Sequence, residues 1–408
     1  MQRLEDYRAV VGSDVLEELI LLAKPLAGRR VVNINSTAVG GGVAEILTGM
    51  IPLLKELGLD ARWDVMKGGE VFYAVTKKMH NALHGDPATF EPKDFAVYEE
   101  TVARNVDTLP LGGDVVFVHD PQPAALVENR GRWKNKWIWR CHIDLTRRNS
   151  DLWAYLKPRV EAYDAAVFSA PSFAQNLPIP QALIAPSIDP LSDKNRPMAL
   201  EDARAVAERL GVPLDRPLAT QVSRFDRLKD PVGVIKAFRM ARKEIQARLL
   251  IVGGAADDDP EGKEVLNEVR TEAGSDPDII VLNLPPTSHH EINALQRVSS
   301  VIFQKSLREG FGLTVAEALW KGVPVVGGAV GGIPQQVIHG HTGLLVSSVE
   351  EAAAALVRLI QEPAWAQALG RNGHAHVKQN FLVTRHLAEY LMLFQSVLEP
   401  GDHIVRWG

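Results

Sequence analysis

Short apolar runs alternate with helix-periodic stretches along most of the 408-residue chain. Runs that read as buried strands lie in the first half at 30–35, 61–66, 114–119, 136–142, 165–169 and 182–185. A second set lies at 218–222, 248–252, 279–282, 300–303, 324–327 and 343–346. After the second strand, the sequence predicts a loop over 67–73 and a helix over 76–84. Because strands that alternate with helices favour parallel sheets covered by helices, the pattern predicts an α/β fold.

The two sets of strands predict two domains, since a chain of 408 residues exceeds one ordinary core. A segment rich in proline and aspartate, 185–197, is the predicted linker. We expect two doubly wound, Rossmann-like domains that face each other across a cleft, one over 1–190 and the other over 191–381. The stretch 382–408 begins with an amphipathic pattern and is expected to pack back on the first domain as a helix. Ligands of such sheets bind at the carboxyl ends of the strands.

Composition narrows the classes of function. Apolar residues make up 46% and charged residues 23% of the chain, which is typical of soluble globular proteins. The formal charge of −5 argues against a nucleic-acid or membrane-surface partner, so an anionic ligand would need a local basic site. The single cysteine, Cys141, excludes an intramolecular disulfide and a cysteine-rich metal cluster. Without an apolar leader or a run of ~20 apolar residues, the chain is expected to be cytoplasmic.

The most informative motif is the segment 306–319, in which Glu309 and Glu317 stand eight positions apart. A buried strand runs into a glycine-containing loop, and a helix then begins. The amides of a first helical turn and the helix dipole favour an anion, and glycines let a ligand approach the backbone. The two carboxylates would repel a phosphate and suit sugar hydroxyls instead. The segment therefore predicts a site for a sugar and a phosphate together, while surface glutamates on an ordinary strand-loop-helix unit are the alternative.

Two cations lie in the connection that follows the strand 218–222. Arg224 and Lys229 precede Asp230 and Pro231, which predict the N-cap and the first position of a helix. An arginine can grip a phosphate with two donors, and a lysine adds a compact charge. In an acidic protein this pair suits a diphosphate, with a solvated basic loop as the alternative.

A glycine triplet opens the first helix of the first domain. The strand 30–35 is followed by Gly40, Gly41 and Gly42. The spacing is neither GxGxxG nor that of a GxxxxGK[ST] phosphate loop, so by itself the triplet indicates only a tight turn. Its position at the end of a strand makes it a candidate for closing over a ligand. The acidic run 257–259 is read as a solvated loop, and no metal site is predicted.

Polar side chains also follow two other strands of the first domain. His119 and Asp120 come at the end of one strand, and Arg140, His142 and Asp144 come at the end of the next. A single histidine is more often a structural group than a catalyst. Here two strand ends converge on the expected ligand edge of one sheet, so we expect a binding site.

The second half of the chain resembles a known family of enzymes. The Glu309-x7-Glu317 motif, the Arg224 and Lys229 pair and the glycine-rich run 327–334 resemble those of retaining GT-B-type glycosyltransferases. These enzymes use nucleotide sugars and include the glycogen-synthase and sucrose-synthase kinds. The resemblance implies front-face displacement with retention, in which the leaving phosphate takes the acceptor proton.

The first half of the chain narrows the resemblance. The segments 3–8, 35–47 and 80–85 look like those of the trehalose glycosyltransferring synthases. Those enzymes join a nucleoside diphosphate glucose, such as ADP-glucose or UDP-glucose, to free glucose and release α,α-trehalose. Retaining trehalose phosphorylases, which use glucose 1-phosphate, share much of the pattern. A non-catalytic sugar-nucleotide sensor is a third alternative.

The resemblance also implies roles for single residues. It gives a catalytic set of Glu309, His142, Arg224 and Lys229. Within this set Arg224 and Lys229 would hold the diphosphate, and Glu309 would support positive charge at the anomeric carbon. His142 would lie beside the donor glucose. Because a sensor need not keep all four residues, the set argues against the third alternative.

The remaining contacts follow from the same resemblance. Glu317 would bind the ribose hydroxyls, and Asp120 with His119 would bind the acceptor. Further nucleotide-sugar contacts are expected at Gly41, Gly42, Gly310, Phe311, Gly312, Leu313 and Thr314. No tightly bound cofactor is expected. The donor base (ADP, UDP or GDP), assistance by Mg²⁺ and a homodimeric state stay open.

Overall fold

The structure, a computed structural model, describes residues 2–39, 41–254, 260–399 and 401. Gly40 and the acidic run 257–259 therefore lie outside the described residues. The chain divides into two compact units, one that extends to Pro186 and resumes at Val383, and another that comprises Ser187–Leu382. Each unit contains one six-stranded sheet, and all of its strand pairs are parallel. The predicted α/β fold with two parallel sheets is confirmed.

In the first unit, strands and helices alternate along the chain. The strands are β1 (Arg30–Asn35), β2 (Asp60–Val65), β3 (Val115–His119), β4 (Lys136–Cys141), β5 (Ala165–Phe168) and β6 (Gln181–Leu183). The helices are α1 (Arg8–Val11), α2 (Ser13–Ala23), α3 (Gly42–Glu56), α4 (Glu70–Leu83), α5 (Pro92–Val106) and α6 (Ser150–Glu161). Short 3-10 helices lie at Leu4–Tyr7, Lys24–Leu26, Ala124–Arg132 and Pro171–Phe173.

The first sheet changes direction once. Its strand order is β2-β1-β3-β4-β5-β6, so the chain adds β2 on one side of β1 and then continues with β3 on the other. The strands β1 and β3 are neighbours, and the loops that leave their carboxyl ends therefore run in opposite directions. Such a topological switch point leaves a crevice in which ligands of parallel sheets bind.

In the second unit, the same alternation is repeated. The strands are β7 (Leu218–Val222), β8 (Arg248–Gly253), β9 (Ile279–Asn283), β10 (Val301–Gln304), β11 (Val325–Gly328) and β12 (Gly343–Val346). The helices are α7 (Leu200–Arg209), α8 (Pro231–Ala241), α9 (Pro260–Ala273), α10 (His289–Val298), α11 (Leu313–Trp320), α12 (Ile333–Gln336), α13 (Val349–Gln361) and α14 (Pro363–Asn380). A 3-10 helix, Arg227–Lys229, precedes α8.

The second sheet has its switch point between β7 and β10. Its order is β12-β11-β10-β7-β8-β9, so the chain builds outward from β7 to β9 and then returns to the other side of β7. Ala219 on β7 pairs with Val301 on β10. The loops after these two strands carry the two motifs that the sequence singled out in this half of the chain.

The last helix, α15 (Val383–Leu398), belongs to the first unit. It packs on α2 and α3, and the Gln395 side chain donates a hydrogen bond of 2.7 Å to the carbonyl of Leu22. On its inner face Tyr390 and Phe394 contact the ring of Phe117 on β3, with centroid distances of 5.0 and 5.7 Å. The apolar face of α15 thus covers the sheet.

The predicted strand limits differ little from the observed ones, but α4 begins earlier than predicted. The sequence predicted a loop through residue 73, whereas the helix begins at Glu70. Gly69 adopts an extended conformation as the N-cap, and the buried positions Phe72, Val75 and Met79 follow helical spacing. Gly68 and Gly69 favour a loop, so the sequence pattern did not indicate the first turn of this amphipathic helix.

Within the described ranges, none of the helices combines the length and the apolar character that a membrane span requires.

Candidate functional site

The loops after β7 and β10 are tied to each other at the switch point of the second sheet. The Leu307 amide donates a hydrogen bond of 2.8 Å to the carbonyl of Leu228. The side chain of Gln221, on β7, donates a hydrogen bond of 2.8 Å to the carbonyl of Lys229. These bonds fix the backbone on both sides of the crevice.

Lys229 and Glu309 form an ion pair across these two loops. Their Nζ and Oε2 atoms are 2.7 Å apart, and the side chain of Glu309 is only 8% exposed. Gln304 and Ser306 each donate a further hydrogen bond of 3.0 Å to the same Oε2 atom. Among the described residues, none donates a hydrogen bond to the other oxygen, Oε1. The carboxylate is therefore held firmly through one oxygen while the second keeps its acceptor capacity.

Glycines let the Glu309 loop lie close to its neighbours. A Cβ on Gly331, whose φ is +55°, would lie 1.7 Å from the carbonyl oxygen of Glu309. A Cβ on Gly332 would lie 2.5 Å from the oxygen of Gly310. The side chain of Gln336 donates a hydrogen bond of 2.6 Å to the carbonyl of Phe311. The glycine-rich run 327–334 thus shapes the loop that carries Glu309.

The helix α11 begins directly after this loop. Its N-cap is Gly312 in the left-handed conformation, and no side chain caps the first turn. Leu313 and Thr314 form the start of the helix. First-turn amides at a helix N-terminus favour an anion.

Glu317 lies inside the fold and is already paired. Its side chain is 1% exposed, with Oε1 at 3.2 Å from Nζ of Lys194 and Oε2 at 3.4 Å from Nε2 of Gln296. Burial acts to raise the pKa of Glu317, but the charges of Lys194 and Lys321 outweigh it and the net pKa is lowered. The Lys321 ammonium also donates a hydrogen bond of 2.8 Å to Asn195. Lys194 lies in the predicted linker and is not among the predicted site residues.

Arg224 is the most accessible of the predicted catalytic residues in this unit. Its side chain is 46% exposed, and its Nη2 lies 3.7 Å from Oδ2 of Asp226, which is too long for a hydrogen bond. Asp226 itself accepts a hydrogen bond of 2.8 Å from the amide of Leu228. The guanidinium is therefore held loosely beside the β7 loop.

In the first unit, two histidines and an asparagine form a chain at the other switch point. Nδ1 of His119 lies 3.2 Å from Nε2 of His142, and Nε2 of His119 lies 3.2 Å from Oδ1 of Asn33. Asn33 is on β1, His119 ends β3 and His142 follows β4. The predicted convergence of His119 and His142 on one edge of the sheet is thus present, whereas Asn33 is not among the predicted site residues.

Asp120 adopts an unusual backbone conformation next to this chain. Its φ is +68°, and it shares a positive φ with only Asp230 among the described non-glycine residues. Its carboxylate accepts a hydrogen bond of 2.8 Å from the amide of His142, and its carbonyl accepts one of 3.0 Å from the indole of Trp139. Burial raises the pKa of Asp120 to about 6. Strained residues of this kind cluster at functional sites.

Both histidines of this hydrogen-bonded chain, His119 and His142, are held in the neutral form. Burial, together with the charge of Arg140, lowers the pKa of His119 to about 3, and burial also lowers the pKa of His142. Arg140 is fully buried, and it donates a hydrogen bond of 3.3 Å to Ser169. Each ring therefore has one nitrogen that donates and one that accepts.

The glycine loop after β1 leads into α3. Gly41 is the N-cap and Gly42 the first residue of that helix. A Cβ on Gly41 would meet only Thr37, at 3.6 Å, so packing within the unit does not require a glycine at this position. Among the described residues, no three His, Cys, Asp or Glu side chains are grouped so as to hold a metal ion.

Two doubly wound parallel sheets, each with polar side chains at its switch point, are characteristic of GT-B-type glycosyltransferases. Comparisons with known proteins agree with this class. Residues 33–175 match the family described as trehalose synthase, N-terminal domain, and residues 202–376 match glycosyl transferases group 1. The chain is 44% identical to the trehalose synthase of Rubrobacter xylanophilus and 43% identical to that of Thermococcus litoralis, over 97% of each chain. The protein therefore belongs to the trehalose synthase family, as its resemblance predicted.

Two more distant likenesses complete the comparison. A trehalose phosphorylase of Pleurotus pulmonarius is 28% identical, over 96% of this chain and 60% of that protein. The solved sucrose-phosphate synthase from Thermosynechococcus elongatus superposes with a TM-score of 0.72 at 22% identity, over 90% of this chain and 98% of that one. The structural likeness shows the shared fold, and the relatives place the enzyme in trehalose-related glycosyl transfer.

The contact between Gly331 and the Glu309 loop predicts a loss of activity when a methyl group is added. Gly331→Ala must displace the carbonyl of Glu309, and we expect the rate of glycosyl transfer to fall about tenfold to a hundredfold. Gly340→Ala is the matched control, because Gly340 also has a positive φ, +75°, but has nothing within 4 Å of its Cβ. An equal loss of activity in the two variants would show that backbone strain, not displacement of the loop, causes the loss.

The neutral state of His119 predicts a pH dependence of stability. The pKa of His119 is about 3 in the folded protein and near 6.5 in the unfolded chain. The unfolded chain thus binds an extra proton in this window, so stability falls as the pH falls below 6.5. Between pH 7 and pH 5 we expect wild type to lose about 2 kcal/mol more than His119→Gln. Urea unfolding at both pH values measures this, with the exposed His290→Gln as control; equal losses in all three proteins would contradict it.

Proposed function

We propose that this enzyme is a retaining glucosyltransferase that joins the glucosyl group of a nucleoside diphosphate glucose to free glucose and releases α,α-trehalose. The observation that carries the proposal is the Lys229–Glu309 pair, 2.7 Å across, at a switch point that also holds the start of α11. The pair combines a phosphate-binding cation with a sugar-binding carboxylate. The second unit is thereby the proposed nucleotide-sugar domain and the first the proposed acceptor domain.

The donor diphosphate is assigned to Arg224 and Lys229. In the structure Lys229 is paired with Glu309, while Arg224 is half exposed and lies 3.7 Å from the Asp226 carboxylate. Diphosphate binding would draw the Lys229 ammonium away from Glu309, because a diphosphate carries more charge than one carboxylate. The uncapped amides of Leu313 and Thr314 would add their partial positive charge.

The other donor contacts are assigned to the loop and helix around Glu309. Glu309 would support positive charge at the anomeric carbon, with Oε1 facing the sugar. Glu317 would bind the ribose hydroxyls, for which its pairing with Lys194 would have to open. The backbone of the loop would contribute at Gly310, Phe311 and Gly312.

The acceptor side is assigned to the first unit. Asp120 and His119 would bind the hydroxyls of free glucose, and His142 would lie beside the donor glucose. A neutral histidine can both donate and accept a hydrogen bond, which suits a sugar hydroxyl. Gly41 and Gly42 would let the backbone approach the substrates, in keeping with a position where packing does not require a glycine.

The mechanism that fits these assignments is front-face displacement. The bond between the anomeric carbon and the phosphate oxygen breaks, and the acceptor hydroxyl oxygen bonds to that carbon from the same side. The hydroxyl proton passes to the leaving phosphate. The protein orients both substrates and stabilises charge on the diphosphate. We also propose a cytoplasmic location.

A second candidate function is a trehalose phosphorylase that uses glucose 1-phosphate. The similarity to the Pleurotus pulmonarius enzyme favours it, but at 28% identity compared with 44% for the Rubrobacter xylanophilus trehalose synthase. The two reactions differ only in the leaving group, so the same site residues would serve both.

One assay separates these candidates. The protein is incubated with glucose and, in turn, ADP-glucose, UDP-glucose, GDP-glucose and glucose 1-phosphate, and a non-reducing disaccharide is measured. We expect trehalose from at least one nucleotide sugar, at a rate well above that with glucose 1-phosphate. Trehalose from glucose 1-phosphate alone would replace the proposal by the phosphorylase.

The two glutamates predict different losses. Glu309→Gln should lower turnover with little change in affinity for the donor, since its charge acts in the transition state. Glu317→Gln should weaken binding of the free nucleoside diphosphate, measured by calorimetry. Glu272→Gln is the matched control, because this residue of α9 is paired with Arg239 at 2.8 Å outside both loops. Loss of nucleotide binding in Glu309→Gln with normal binding in Glu317→Gln would reverse the two roles.

A further inference from the structure

We propose that Lys305 is a positioning residue that fixes the conformation of Asp230 and so aims the neighbouring Lys229 at the reacting phosphate. The inference rests on the proposed function for the identity of that phosphate. Lys305 follows β10 directly, and the residue is only 6% exposed. Its ammonium forms an ion pair with Oδ2 of Asp230. The pair crosses the switch point beside the Lys229–Glu309 pair.

Asp230 needs to be held, because its backbone is strained. Its φ and ψ are +50° and +48°, a left-handed conformation that residues other than glycine rarely adopt. Asp230 is also the N-cap of α8, and its Oδ1 accepts a hydrogen bond of 3.1 Å from the amide of Gly233. A Cβ on Gly233 would lie 2.1 Å from Oδ2 of Asp230, so this approach needs a glycine. Oδ1 thus caps α8, whereas Oδ2 lies against Gly233 and also pairs with Lys305.

The conformation of Asp230 determines the position of the adjacent Lys229 backbone, from which the lysine side chain extends. Lys229 ends the 3-10 helix, and Asp230 is both the C-cap of that helix and the N-cap of α8. The Lys229 carbonyl is held by Gln221, and its ammonium reaches Glu309. Without Lys305, Asp230 would keep only its contacts with α8, and the turn that presents Lys229 could relax.

Stability alone is a weak explanation for Lys305. A buried ion pair is often replaced by apolar groups without loss of stability, because desolvation offsets the attraction. A pair that instead holds a strained residue next to a functional lysine has a positional effect.

The test is a double-mutant cycle in the full-length protein. Lys305→Met should lower kcat/KM for the donor about tenfold to a hundredfold, as expected for a misplaced catalytic group. The KM for glucose should not change, and Lys305→Arg should restore part of the activity because it keeps the charge. In a Lys229→Ala background, Lys305→Met should cost less than about threefold, because the lysine that it positions is gone. Arg239→Met, which breaks the 2.8 Å pair with Glu272 in the same unit, is the control and should leave kcat/KM within about twofold.

Three results would overturn the inference. These are activity of Lys305→Met within twofold of wild type, a full additional loss in the Lys229→Ala background, or an equal loss in Arg239→Met. The cycle is measured with whichever donor wild type uses, nucleoside diphosphate glucose or glucose 1-phosphate. Failure of the proposed function therefore appears in the wild-type donor preference, whereas failure of the positioning role appears in the cycle.

Discussion

The ion pair between Lys229 and Glu309 is the interaction on which the second unit's site depends. Glu309 is buried and Lys229 is partly buried, so the two opposite charges stabilise each other, and removal of Lys229 would leave the buried carboxylate uncompensated. The pair joins loops that leave adjacent parallel strands, β7 and β10. Gln221, Gln304 and Ser306 then hold the backbone and carboxylate in register. Under the proposed function, the diphosphate of the sugar donor replaces Glu309 as the partner of Lys229.

Both units build their sites in the same way. Each parallel sheet reverses its direction of growth once, and each site lies where the two loops diverge. The only described non-glycine residues with positive φ, Asp120 and Asp230, each follow a strand that flanks a switch point. Both are aspartates, which tolerate the left-handed region better than most residues because the short side chain bonds locally. The strain thus lies next to the proposed functional side chains, where surrounding hydrogen bonds maintain it.

Sequence periodicity predicted much of the fold but not the connections within each site. The strands at 30–35, 218–222 and 343–346 have the predicted limits, because a buried strand is a local apolar run. The beginning of α4 was obscured by the glycines before Glu70. Strand order is a non-local property, so the pairing of Lys194 with Glu317 could not be seen in the sequence. The same holds for the pairing of Lys305 with Asp230.

Binding of the donor is proposed to move Lys229 from Glu309 to the diphosphate. A crystal structure of the protein with a bound nucleoside diphosphate tests this change of partner. We expect the Lys229 ammonium within hydrogen-bond distance, about 2.7–3.2 Å, of a phosphate oxygen, with Arg224 on the same diphosphate. A diphosphate bound elsewhere, with Lys229 and Glu309 still 2.7 Å apart, would contradict the account.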